Sequence, residues 1–372
     1  MSYSTSSSMR NIKSLFYFNL VLILISCNEE TVKKDNNQGI QLDFQNSETA
    51  IIPLPHGIDN INESYQPFGS NNVYFLSNKS LSLFRLNLNS NTVDSIAYIN
   101  DTSYYDAFIV HEENEKLYIF SEDLVISYNF KGEVLDTFDL EDKCEEDSYL
   151  VVLKQQFLPD IYNNQLYIHN FPNIDEAYQS KEFFIPPVIK SINLNTSECT
   201  NHDVFYPSNY KKYCYGINYI PEKIQLNKSK EYQIGMSYAY NDSLFVYNLQ
   251  SRENEQYYFG SKIHKPKFQR LNFDKIDEHN QIIFDKLYIE NNQYLFSKSF
   301  PLAGYIGRSL LIKGENQQEI ICLYDDNFDY IGESDGIWKS YILFDSSEGI
   351  KSLHFDKETS KMVLNTISWI EN

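Results

Sequence analysis

Gly332-Glu333-Ser334-Asp335-Gly336 has the Gly-x-Ser-x-Gly spacing of an elbow that lifts a nucleophilic serine out of a strand-to-helix turn. Asp345 and His354 follow it in the order that such a fold uses for its acid and its base. The surroundings argue against that chemistry. Ile337-Trp338-Lys339-Ser340-Tyr341 leads into another strand-like run instead of a helix. The 20 residues from serine to histidine also leave no room for the intervening elements. The simpler reading is a polar turn between two sheet units, and no catalytic residue is assigned.

Asp325-Asp326-Asn327-Phe328-Asp329 has oxygen ligands at the first, third and fifth places of a calcium loop. Tyr330 then stands where the sharp turn needs glycine, and Gly336 where a bidentate glutamate is required. A solvated hairpin turn fits better. The acidic run from Asp139 to Asp147 reads as a solvated loop. The seven histidines are scattered singly, and neither Cys-x-x-Cys nor His-x-x-x-His occurs, so no metal site is expected. No glycine-rich phosphate loop or dinucleotide fingerprint is present, and no cofactor is expected. Among the later cysteines, Cys144, Cys199, Cys214 and Cys322, the pair Cys199 and Cys214 lies 15 residues apart in a polar stretch and could bond. Cys322, inside Ile320-Ile321-Cys322-Leu323, reads as a small buried hydrophobe.

Cys27 is the residue with the clearest chemistry. Arg10 and Lys13 precede an uncharged run from Ser14 to Ile25, and small Ser26 then precedes the cysteine. The run is too short to span a bilayer and has the layout of an export signal. Met9 makes a compact start for it, with Met9-Arg10-Asn11-Ile12-Lys13 as the positive region. Leu24-Ile25-Ser26-Cys27 resembles a bacterial lipobox, which implies cleavage before Cys27 and lipid on its sulfur. The chain then divides into a signal peptide (1–26), a lipidated cysteine with an acidic tether (27–39) and a folded domain (40–372). Glu29 to Gly39 is polar and aperiodic, as a flexible tether is. The acidic pair in Cys27-Asn28-Glu29-Glu30 is similar to the signals that carry some Bacteroidota lipoproteins to the cell surface. The whole chain has a net charge of −20; removing the signal, which holds two cations and no acid, makes it −22. Such a surface repels nucleic acid and anionic headgroups, so only acyl chains would hold it at a membrane. No second apolar run is long enough to form a transmembrane helix in the mature chain.

The elements that must position any site are strands. Tyr and Phe number 30 and 25, glycine is scarce, and helical periodicity is weak. A loose repeat runs from residue 40. Its first element is a polar turn and a Tyr-centred strand: Asn72–Leu76, Lys116–Phe120, Gln165–Ile168, Lys230–Ile234 and Asn292–Phe296. Its second is a strand ending at Asn or Asp: Leu83–Asn87, Val125–Asn129, Ile189–Asn193, Leu244–Asn248 and Ile321–Asp325. The two alternate five times. The tyrosine intervals of 44, 49, 65 and 62 residues suit four-stranded blades with insertions at Phe171–Val188 and Tyr257–Asp277. The last strands, near Tyr341–Phe344, Lys351–Phe355 and Met362–Trp369, lack a fourth partner, which residues 40–54 can supply. The expectation is therefore an all-β propeller of six four-stranded blades, with seven possible, closed by an N-terminal strand. Two unrelated β-sandwiches are the alternative.

Lipobox, acidic tether and Tyr-rich strand repeats together resemble a family of six-bladed, TolB-like propeller lipoproteins of Bacteroidota built on a domain of unknown function. The resemblance implies fold and an outer-membrane location, and it carries no functional residues. The function expected is a lipid-anchored binding or scaffold module for a protein or glycan partner. The alternative is an exported glycan- or ester-cleaving enzyme with carboxylates at the channel mouth, for which a close cluster of Asp, Glu, His or Arg in the channel would be the sign.

Overall fold

Short alternating segments separated by turns bearing Asn, Asp and Gly pair most readily with their immediate neighbours in the chain. A computed structural model gives the outcome. It describes residues 40–371 except 54–63, 68, 78–81, 100–104, 106, 122–123, 140–147, 150–159, 173–180, 216–220, 229–230, 276–285, 288–289, 292–293, 303–304, 313–317, 335–341, 348 and 357–360. All of the described residues belong to the compact unit Gly39–Asn372. Cys27, the signal, the tether and most of the acidic run after Asp139 lie outside the described residues.

Six antiparallel four-stranded sheets form a six-bladed β-propeller. Blade 1 holds Ser64–Tyr65, Asn72–Leu76, Ser82–Asn87 and Thr92–Tyr98. Blade 2 holds Ala107–His111, Lys116–Ser121, Leu124–Asn129 and Val134–Asp139. Blade 3 holds Asp160–Tyr162, Gln165–His169, Ile189–Asn193 and Cys199–His202. Blade 4 holds Glu222–Lys228, Glu231–Ser237, Ser243–Asn248 and Asn254–Tyr258. Blade 5 holds Tyr294–Leu302, Tyr305–Ile312, Gln318–Tyr324 and Tyr330–Glu333. Blade 6 takes Ile342–Ser346, Gly349–Asp356 and Lys361–Glu371 from the C-terminus and Ile40–Pro53 from the N-terminus. First strands of neighbouring blades lie against each other, as Glu222–Lys228 does on Tyr294–Leu302, so they line the centre. Fourth strands such as Asn254–Tyr258 are mostly exposed and form the rim.

The core is a ring of inter-blade layers, because each sheet buries both faces. Val73 and Phe75 of blade 1 pack towards blade 6, with Phe344, Leu353 and Met362. Their neighbours Tyr74 and Leu76 face the other way, onto Phe108, Leu117 and Ile119 of blade 2. That is the period of two expected of a strand. Tyr118 and Phe120 repeat the move from blade 2 onto Leu166 and Ile168 of blade 3. Burying one such large side chain stabilises the fold by roughly 1.5–3 kcal/mol.

The second element of the repeat is the third strand of blades 1 to 5, with its Asn or Asp at the turn. Asn87 Oδ1 accepts from the amides of Asn89 and Ser90 at 3.1 and 2.9 Å. Asn193 does the same for Asn195 and Thr196 at 2.9 and 3.1 Å, and Asp325 for Asn327 and Asp329 at 2.8 and 2.8 Å. The first element needs correction. It is the second strand in blades 1 to 3, where Tyr74, Tyr118 and Tyr167 stand two residues inside the turn pair. In blade 4 that place belongs to Gly235, opposite Val246, and Tyr232 is out of register. A Cβ on Gly235 would come within 3.0 Å of Leu226 and 3.2 Å of Leu244, so leucine bulk fills the space that tyrosine fills elsewhere. In blade 5 Tyr294–Leu302 is the first strand, not the second.

Cys199 is disulfide-bonded, whereas Cys214 and Cys322 are buried thiols outside any disulfide, so Cys199 and Cys214 do not pair. Cys322 is a core residue, as its apolar setting predicts.

Candidate functional site

In a meander of antiparallel strands, the loops joining second to third strands and those joining one blade to the next fall at the same end. Blade 4 carries the longest described inter-blade segments at that end. Val204–Tyr215 leads into it and Phe259–Lys275 leads out, and they pair through the short ribbon of Tyr213–Cys214 with Leu271–Asn272. Phe183 and Phe184, from the other insertion, are buried beneath them with Tyr206, Tyr210 and Tyr238. Phe171–Val188 therefore contributes core aromatic residues, while Tyr257–Asp277 contributes a wall.

These segments enclose a cavity of about 470 Å³, within the range of roughly 300–1,000 Å³ that small-molecule sites span. Tyr215 and Tyr240, stacked 5.4 Å apart at 18°, make its floor. Phe268 stands on Tyr240 edge-to-face at 5.4 Å, and Tyr258 offers a ring that is 46 % exposed. Polar tips come from Asn209, Asn241, Asp242, Lys265 and Arg270. A hydrogen-bonded chain fixes the two amides: Asn241 donates to Asn209 Oδ1 at 3.3 Å, and Asn209 donates to Tyr215 Oη at 2.9 Å. Asn291 donates to the carbonyls of Tyr215 and Gln269 at 2.6 and 2.8 Å, which ties the floor to the wall. Burial raises the Tyr215 phenol above its ordinary range, against the pull of Asn209 and Arg270, so it stays neutral. Gly260 lets the wall close in: a Cβ there would lie 2.7 Å from Asp242 Cβ and 2.9 Å from Tyr258 Oη.

Arg308, on the second strand of blade 5, is wholly buried behind this lining. Its guanidinium donates to the carbonyls of Tyr238 and Asn241 at 2.9 and 2.7 Å and also to that of Phe259. It lies over the Phe296 ring at 3.6 Å, and Phe296 is itself part of the cavity wall. Burial lowers its pKa to about 10, so it keeps its charge at neutral pH.

The motif residues are scattered. Ser334 is 2 % exposed, and its hydroxyl accepts from the Ile321 amide at 2.9 Å while its own amide donates to the Ile321 carbonyl at 2.9 Å. It extends a sheet ladder, and His354 lies on the second strand of another blade. Asp325 spends its carboxylate on its own turn, with Phe328 at φ 65°. In the centre, first strands bring Asp160 of blade 3 and Lys223 of blade 4 to 3.6 Å, with side chains 9 % and 5 % exposed. Burial lowers the Lys223 pKa and Asp160 opposes the shift. The cavity residues were not singled out from sequence. Their signal was electrostatic: Val204–Tyr215 and Phe259–Asn272 hold six Lys and Arg and no Asp or Glu, in a chain with 51 acids.

Fold and cavity together define a six-bladed propeller with a polar, aromatic cleft over one blade. Among solved structures, a member of the DUF4221 family from Bacteroides vulgatus ATCC 8482 aligns with a TM-score of 0.69 at 13% identity, over 90% of this chain and 99% of that one. A protein described as exported, from Bacteroides fragilis NCTC 9343, aligns with a TM-score of 0.50 at 10% identity, over 87% of this chain and 95% of that one. At such identities the likeness is one of fold. No protein-family profile matches the sequence, and no curated protein does.

Proposed function

We propose that this chain is a lipid-anchored binding protein of the outer membrane, held through Cys27 at the periplasmic or cell-surface face, and that the cleft over blade 4 captures a glycan partner. One observation carries the reading: aromatic rings, planar amides and charged tips converge in a single cavity. A sugar has an apolar C–H face and a rim of hydroxyls. Tyr258 and Phe268 suit the face; Asn209, Asn241 and Asp242 suit the rim. The hydrogen-bonded wall is ordered before a ligand arrives, which reduces the entropy lost on binding. Cleavage is the second reading. Glycoside hydrolysis uses two carboxylates flanking the bond, and among the described residues the lining offers one, Asp242, so binding is favoured. The location rests on Leu24-Ile25-Ser26-Cys27 and on a chain too acidic to be drawn to anionic headgroups.

Binding of the full-length chain in detergent to an array of neutral and acidic oligosaccharides tests the cleft. Tyr258→Ala should weaken the bound saccharide about tenfold, about 1.4 kcal/mol, with a slightly lower melting temperature, because the Tyr258 hydroxyl also donates to the Ser261 carbonyl at 2.8 Å. Cys27→Ser should abolish labelling by fatty acid in cells. Full affinity in the first variant refutes the cleft, and full labelling in the second refutes the anchor.

A further inference from the structure

The cleft sits in a charge environment opposite to that of the molecule. The whole chain carries a net −20, yet Val204–Tyr215 and Phe259–Asn272 contribute Lys211, Lys212, Lys262, Lys265, Lys267 and Arg270 and no Asp or Glu, and of these Lys265 and Arg270 line the cavity. Among the described residues none of these six forms an ion pair. Several rest on aromatic faces instead: Arg270 lies 4.3 Å from the Tyr213 ring centre, Lys212 5.3 Å from the same ring, and Lys262 4.6 Å from Tyr330. Resting there holds a cation in place. Among the described residues the one carboxylate docked on this stretch, Glu333, accepts from the Ser261 hydroxyl and from the amides of Lys262 and Ile263, away from Lys265 and Arg270 in sequence. Arg308 adds a seventh positive charge behind the wall, held by the carbonyl oxygens of Tyr238, Asn241 and Phe259 and by the Phe296 ring. With Lys265 and Arg270 against the single acid Asp242, the lining focuses a positive potential into the concave cavity.

Resting on the glycan reading above, we propose that the ligand is an acidic oligosaccharide, whose sugar rings lie on Tyr258 and Phe268 and whose anionic groups meet Lys265 and Arg270. Arg270 offers the planar fork that binds carboxylate or sulfate in pairs of hydrogen bonds. Lys265 offers a point charge in the same lining. Asp242 is the one acid of the lining; it accepts from sugar hydroxyls and sets a boundary on where the anion can sit. An acidic peptide would satisfy the cations but would leave the aromatic faces without a matching flat surface.

Calorimetry on the full-length chain in detergent decides the matter, with four probes: tetragalacturonate, its methyl ester, a chondroitin sulfate tetrasaccharide and hexaglutamate. An acidic sugar should bind about tenfold more tightly than the ester, and its affinity should fall between about 50 and about 500 mM NaCl. Preference between galacturonate and the sulfated sugar identifies carboxylate or sulfate as the anion. Lys265→Gln and Arg270→Gln should each weaken the acidic sugar about threefold or more and leave the ester unaffected, whereas Tyr258→Ala should weaken both. Equal binding of acid and ester, indifferent to the charge variants, overturns this inference and leaves the glycan reading intact. Hexaglutamate bound as tightly as the acidic sugars replaces the inference with a peptide ligand. Failure of every saccharide overturns both readings.

Discussion

Arg308 and His169 are both almost inaccessible to water, at 0 % and 2 % exposure, and burial acts on them differently. Arg308 keeps its charge because carbonyls of Tyr238, Asn241 and Phe259 surround it and because guanidinium is a very strong base. His169 has a weak base's choice and gives up its proton: burial pushes its pKa down to about 3, against about 6.5 in an unfolded chain. Above pH 6.5 both states are neutral and the folded state has its full stability. As pH falls from about 6.5 towards 3, the unfolded chain gains a proton that the folded one refuses, and stability drops by up to about 1.4 kcal/mol per pH unit from this residue. His169→Gln removes that titration. Its melting temperature should start lower at pH 7 and fall less steeply to pH 4 than that of the parent; parallel slopes would show that His169 is not the acid-sensitive group.

At the scale of elements, the turn after each third strand is the unit that recurs. In blade 3, Asn193 accepts two amide hydrogen bonds and Ser197 closes the turn at φ 58°. Asn193→Ala leaves two amides to water and should destabilise the fold by about 1 kcal/mol. Ser197→Gly relieves a left-handed strain of about 1 kcal/mol and loosens the unfolded chain by roughly half of that, for a net gain of about 0.5 kcal/mol. Urea unfolding of both variants checks the pair, and a change of the same sign in each would contradict it. These turns were legible in sequence because an Asn or Asp makes its contacts within four residues. The Tyr-centred strand was legible in blades 1 to 3 and misread in blades 4 and 5, where the places of Gly235 and Tyr294 depend on strand register and on Leu226 and Leu244 of the neighbouring strands. The cleft was illegible for the same reason: Asn209, Tyr240 and Arg270 meet only after blade 4 folds. The acid-free stretches beside them are a local property of the sequence, and they were the available clue.

At the scale of the molecule, everything depends on closing the ring. Ile40–Pro53 pairs antiparallel with Lys361–Glu371 from Ile40 opposite Glu371 to Pro53 opposite Lys361, with one irregularity between Asp43 and Glu48. Ile52 then joins Phe344, Leu353, Met362 and Leu364 in the layer that blade 6 shares with blade 1. The N-terminal strand thus covers an edge and completes a core at once, and it does so with the largest sequence separation in the fold. Deleting residues 40–53 leaves the ladder of Lys361–Glu371 open, and an open edge of that length recruits other chains. Removing only residues 29–39 takes away no described strand. The first deletion should give aggregates and a broadened, low-temperature unfolding transition; the second should leave solubility and cooperativity unchanged. Adding a synthetic peptide of residues 40–53 to the first variant should restore solubility by donating the missing strand in trans. If the deletion variant stays monomeric and unfolds as sharply as the parent, the edge is protected by some other element and the N-terminal strand is dispensable to the ring.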